Sequence, residues 1–178
     1  MKSLPKPVSF GDQVTGDHLI DERRDKESSD YAVSYDDEFP DATAAVVLYD
    51  RATRWVQGIP SATRSHEDTV LAFKEFAGDN NVSSFYADNA PELKKAAREL
   101  QWVMSTSTPG FPQTNGLVER MVRLVKEGTR CNLVQSGLHK RWWTYAMTAF
   151  CFAKNTEGAD SAYERRYGVQ SNHLRNIS

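Results

Sequence analysis

From Ala42 onward the chain alternates between two kinds of segment, and this alternation limits the fold more than any other feature. Short runs rich in β-branched and aromatic residues, "ATAAVVLYD" (42–50), "TRWVQGIPSAT" (53–63), "NVSSFYADN" (81–89) and "WVMSTS" (102–107), read as strands. Between the later ones lie segments with helical period. "SHED" (65–68) matches a capping box in which Ser65 reaches the Asp68 amide. The helix it opens turns Val70, Phe73 and Phe76 or Ala77 inward. "APELKKAAREL" (90–100) places Leu93, Ala96, Ala97 and Leu100 on one face. A further strand, "GDQVTGDHLI" (11–20), precedes these, and two helices follow them. The order is three strands, helix, strand, helix, strand, helix, helix. It predicts an α/β fold with a mixed five-stranded sheet and helices on its faces.

The first of the two final helices follows a Thr-Pro-Gly loop, "TSTPGFPQ", and opens near Asn115, the expected N-cap. Leu117, Met121, Leu124 and Val125 define its expected buried face. Glu119 stands in the expected first turn, with Arg123, Lys126 and Arg130 behind it at i+4, i+7 and i+11. The second runs from about Lys140 to Asn155, with Trp142, Ala146, Ala149, Phe150 and Ala153 on its expected inner face.

The organisation around this core is simple. Residues 1–10, with Pro5 and Pro7, read as a linker, residues 11–157 as one domain, and residues 158–178 as a C-terminal tail. Residues 21–41 are acidic and poor in core residues, and read as an insertion between the first two strands. No apolar run approaches the roughly 18 residues of a membrane span, and no targeting signal is visible. Cys131 and Cys151 fit small buried hydrophobes in a reducing, intracellular setting better than a disulfide. The net charge of −2 hides a polarised distribution. From Asp17 to Asp50 there are 11 acidic and 3 basic residues, whereas from Glu119 to Lys154 there are 7 basic and 2 acidic. The second segment is therefore the one suited to a polyanion.

Three acids stand where α/β sheets bind ligands. Asp17 lies towards the end of the first strand, Asp88 ends the strand after the first crossover, and the helix carrying Glu119 can reach over both. Converging carboxylates repel unless a cation joins them. Oxygen-only donors suit Mg²⁺ or Mn²⁺, and two such ions can clamp a phosphodiester without a Ser, His or Cys nucleophile. The same residues also have plainer roles: a solvated strand residue, a turn-forming Asp, and the i, i+4 partner of Arg123. With 24 acids in the chain, spacing alone does not choose between them.

"FGDQVTGDHL", "FYADN" and "STPGFPQTNGLVERMVRLVKEGT" together resemble the catalytic core of retroviral and retrotransposon integrases. These are DDE-type polynucleotidyl transferases with a ribonuclease H-like fold. The likeness spans roughly residues 8–168, and "QTNGLVER" after a Thr-Pro loop is its most specific part. The resemblance implies that Asp17, Asp88 and Glu119 are the catalytic, metal-binding triad for two Mg²⁺ or Mn²⁺ ions. It implies that Asn115, Arg123, Lys126 and Arg130 contact DNA. It also implies an endonuclease and transferase that processes retroelement DNA ends and joins them to target DNA. Such an enzyme would work in the nucleus as a homodimer or higher multimer. Two departures stand out. Asp88 and Glu119 are separated by 30 residues, fewer than in the best-known members, and "ADNA" replaces the usual "TDNG" or "TDNS". No His-His-Cys-Cys zinc module precedes the core and no small β-barrel follows it, so an isolated core or a piece of a polyprotein is expected. Two alternatives remain: a degenerate or domesticated core that binds DNA or protein without catalysis, and a ribonuclease H-like nuclease without transferase activity.

Overall fold

A computed structural model describes residues 10–11, 14–20, 42–87, 90–106 and 112–171. The acidic insertion, the Thr-Pro-Gly loop up to Phe111, and Asp88 lie outside the described residues. The strands are β1 (Val14–Ile20), β2 (Ala44–Asp50), β3 (Val56–Ser61), β4 (Ser84–Ala87) and β5 (Val103–Thr106). The helices are α1 (His66–Ala77), α2 (Pro91–Glu99), α3 (Pro112–Ser136), α4 (Trp143–Thr156) and α5 (Ala162–Tyr167). The strands form one sheet in the order β3-β2-β1-β4-β5. β1, β2 and β3 pair antiparallel, whereas β4 pairs parallel with both β1 and β5. This is the expected mixed five-stranded sheet flanked by helices.

β2 is apolar along nearly its whole length because helices cover both sides of it. Val46 and Leu48 face one core together with Phe73 and Phe76 of α1 and Leu93, Ala96 and Ala97 of α2. Ala45 and Val47 face a second core with Val125 of α3 and Met147 and Cys151 of α4. In the first core the Phe73 and Trp102 rings stack with centroids 4.7 Å apart, and Phe85 meets Phe73 edge-on at 4.9 Å. Each such fully buried aromatic contributes on the order of 1.5–3 kcal/mol. α1 starts as its sequence predicts, with the Ser65 hydroxyl accepting from the Asp68 amide at 3.1 Å. Asp68 also accepts from the Thr63 hydroxyl at 2.6 Å and the Thr63 amide at 2.8 Å, which hold its carboxyl below the ordinary value.

α4 differs from expectation. It starts at Trp143, after a one-turn 3-10 connector over Lys140–Trp142. Its buried stripe is Thr144, Met147, Cys151, Asn155 and Thr156, while Ala149 and Ala153 are exposed. An apolar count alone rotated the helix, because three of the five buried residues are polar. The Asn155 amide explains this preference. It accepts from the Val56 amide at 2.9 Å and donates to the Val56 carbonyl at 2.7 Å, satisfying the outer edge of β3. Cys151 is buried as expected, but Cys131 is exposed.

The segment after Glu157 was expected to be a tail. It instead forms α5 and stays packed as far as Ser171. Ser161 and Glu164 make a reciprocal capping box, and Glu164 also accepts from the Ser171 amide and hydroxyl, each at 3.0 Å. The Arg166 guanidinium lies 4.0 Å from the Phe10 ring centroid and 4.6 Å from that of Trp55, and donates to the Phe76 carbonyl at 2.6 Å. Burial lowers its pKa. Arg165 pairs with Asp160. The "YERRYG" run thus fastens the C-terminal segment to the first core.

Candidate active site

The site is built on β1, the middle strand, where the sheet changes from antiparallel to parallel pairing. On one side Asp17 has Val47 of β2 as its Cα partner. On the other, the parallel register pairs Val14 with Phe85, Thr15 with Tyr86 and Gly16 with Ala87. Asp17 is the next residue of β1, and Asp88 is the next residue in sequence after β4. Asp17 was expected near the end of its strand. It is in fact the fourth residue of seven, because β1 continues to Ile20 alongside β2.

Gly16 has a packing role that sequence reasoning missed. A Cβ there would lie 2.3 Å from Leu48 Cδ2 and 2.9 Å from the Val47 carbonyl oxygen. Only a residue without a side chain lets β1 lie this close to β2 beside Asp17. The signal was the Gly immediately before Asp17 inside a strand pattern.

The third acid rides on α3. This helix starts at Pro112, where the ring presets the helical φ and the missing amide hydrogen is not needed. Asn115 is therefore the fourth helical residue and not the N-cap. Glu119 is the eighth, at the start of the third turn and not in the first. The favourable field of a helix N-terminus fades beyond the first turn, so the helix end does not act on Glu119. Glu119, Arg123 and Arg130 are exposed and Lys126 is half-buried. They share one face, spaced as the sequence indicated.

Of the expected buried face of α3, Val125 is buried as expected, while the rest of the face is displaced by one residue. Val118, Val125 and Thr129 are buried and Val122 packs against the second core, whereas Leu117, Met121 and Leu124 are only partly covered. Two neighbours share the helix. The sheet takes the Val122–Val125 side, and Gly128 fits so tightly against α4 that a Cβ would fall 2.1 Å from Phe150 Cε2.

A fully buried carboxylate, Asp50, is a rival only in principle. It accepts from the Thr53 amide at 2.8 Å, the Thr53 hydroxyl at 2.6 Å and the Gly11 amide at 3.3 Å. Its strand partner is Val14, three residues before Asp17, so it holds the β2–β3 turn at the other side of the sheet.

The side chains of Asp17 and Asn115 and the whole of Asp88 lie outside the described residues. Among the described residues no three His, Cys, Asp or Glu side chains are grouped to hold a metal ion. The structure therefore locates Glu119 with its basic stripe, and the strand position of Asp17.

No family model and no curated protein sequence matches the chain. Among solved structures it matches the catalytic core domain of BIV integrase, crystal form I, with a TM-score of 0.59. The match covers 93% of this chain and 98% of that one at 16% sequence identity. The chain has the fold of a retroviral integrase catalytic core. At this identity the likeness concerns the ribonuclease H-like fold alone.

Proposed function

We propose that this chain is the catalytic core of a retroelement integrase, a DDE-type transferase that trims DNA 3′ ends and joins them to target DNA. The observation that carries the reading is the parallel register of β1 and β4. It supports a meeting of Asp17 with the residue that follows Ala87, on a fold that matches an integrase core. In the first step water attacks phosphorus and releases a 3′-hydroxyl. In the second that hydroxyl attacks a target phosphodiester, so one P–O bond forms as another breaks.

Asp17, Asp88 and Glu119 would hold the cofactor. They offer only hard carboxylate oxygens, the donors that Mg²⁺ or Mn²⁺ takes. Two such ions supply charge neutralisation and polarisation of the phosphate. The chain's own contribution is positioning. Arg123, Lys126 and Arg130 follow Glu119 along α3 and would neutralise phosphates leading away from the reacting bond, with Asn115 beside them. Such contacts orient DNA without reading its sequence. The reading also entails DNA ends and target DNA as partners, a homodimer or higher multimer, and a nuclear place of work.

The test separates acid from base. Glu119→Gln keeps the size and helix propensity of the side chain while removing its charge. It should abolish Mn²⁺-dependent nicking of a short duplex and leave duplex affinity nearly intact. Nicking by Glu119→Gln at the parent rate would leave the acid as merely the partner of Arg123. Nicking without joining would reduce the chain to a nuclease, and binding without nicking in the parent would reduce it to a DNA-binding module.

A further inference from the structure

We propose a second DNA contact, at the corner where the connector Lys140–Trp142 meets the start of α4. It would grip the phosphate backbone of the same duplex well away from the reacting bond. The inference rests on the preceding reading only for where that bond lies.

The first observation is charge. His139, Lys140 and Arg141 are consecutive and exposed. The chain has no Asp or Glu between Glu127 and Glu157, so α3's last turns, the connector and α4 contribute no carboxylate of their own. The second observation is that local electrostatics oppose the arrangement. Lys140 and Arg141 stand immediately before a 14-residue helix whose first turn carries no acid. The positive end of a helix disfavours cations. Two exposed cations there gain no favourable field from the helix end itself.

The third observation is order. The His139 ring accepts from the Arg141 amide at 3.2 Å and fixes the connector backbone. The Arg141 guanidinium lies 5.5 Å from the Trp142 ring centroid, and that ring lies 5.6 Å from Tyr145. The Asn132 amide donates to the Ala146 carbonyl at 3.1 Å, tying α3's last turns to α4. The corner is thus fixed with respect to the helix that carries Glu119.

Distance sets what it would touch. Seventeen residues of α3 separate Glu119 from Ser136, with Arg123 and Arg130 exposed along the way. That is roughly 25 Å of helix at 1.5 Å per residue, or about seven base-pair steps of duplex. A duplex following the stripe from Glu119 would reach the corner only if it extends beyond that length.

The experiment uses the whole chain, the Lys140→Ala/Arg141→Ala double variant, and two DNA hairpins with stems of about 5 and about 20 base pairs. Affinity is read by fluorescence anisotropy across a salt series. On the long stem the variant should lose affinity, roughly ten- to sixty-fold near 0.1 M salt, and its log–log salt slope should fall by about two. On the short stem it should match the parent. Arg141→Lys, which keeps the charge, should restore about half of the lost slope when combined with Lys140→Ala. An unchanged slope on the long stem, an equal loss on both stems, or a loss confined to single-stranded DNA would each overturn the proposal. Nicking is not part of this readout, so a parent that binds but never nicks would sink the transferase reading and leave the corner standing.

Discussion

Replacing Asn155 with alanine removes two hydrogen bonds from the outer edge of the sheet at once. The Asn155 side chain is the partner of both the Val56 amide and the Val56 carbonyl, at 2.9 and 2.7 Å, and the residue is only 2% exposed. β3 ends the strand order, so no further described strand takes over those two groups. A buried polar group left without a partner costs about 1–3 kcal/mol, and two such groups with a small void give roughly 2–5 kcal/mol. That is a large share of the about 5–15 kcal/mol by which a domain of this kind is stable. With a urea m-value on the order of 2 kcal/mol/M, the unfolding midpoint should fall by about 1–2.5 M, with m unchanged. Asn155→Asp adds a sign test. A buried carboxylate facing the Val56 carbonyl is favoured when protonated, so its folded pKa lies above the unfolded one. The variant should then be less impaired below the ordinary Asp pKa and lose stability as pH rises through the folded value. A midpoint within about 0.3 M of the parent for Asn155→Ala would refute the reasoning, since β3 would then not depend on α4.

Gly128→Ala should destabilise by about 1–3 kcal/mol, because the new methyl overlaps the Phe150 ring, and Phe150→Leu in the same chain should recover part of it in urea melts. Iodoacetamide should label Cys131 in the folded protein and Cys151 only after unfolding, as read by mass spectrometry. Burial pushes the Cys151 thiol up to about 11 from an ordinary 9.0, so its contribution to stability is full below pH 9 and is lost as pH rises towards 11. A melting series over that range should show the decline, and a flat profile would contradict it. Thr63→Val removes the hydroxyl that does most to hold the Asp68 carboxyl low. An NMR titration should place Asp68 closer to the ordinary value, with the associated stability present above that value and lost as pH falls.

Much of the fold was legible because strands and helices bury their residues with different periods. β2, α1 and α2 each carry apolar residues at the spacing of one element type, so their existence and inner faces were readable. The N-cap at Ser65 was readable for the same reason, since a cap is a contact between residues three apart. Likewise, the order of the segments implied a mixed sheet, and the spacing of Glu119, Arg123, Lys126 and Arg130 put them on one helix face. What remained hidden depends on residues distant in sequence. The rotation of α4 follows from Asn155 meeting Val56, 99 positions away, and that of α3 from being shared between the sheet and Phe150. The start of α3 at Pro112 takes Glu119 out of the first turn, since a proline after a Thr-Pro-Gly loop can equally end that loop or open a helix. The place of Arg166 depends likewise on Phe10, Trp55 and Phe76, which enclose it from distant parts of the chain. Local sequence specifies which elements form and which residues share a face. Only packing decides which face is buried, because that choice is made by the partner surface and not by the element itself.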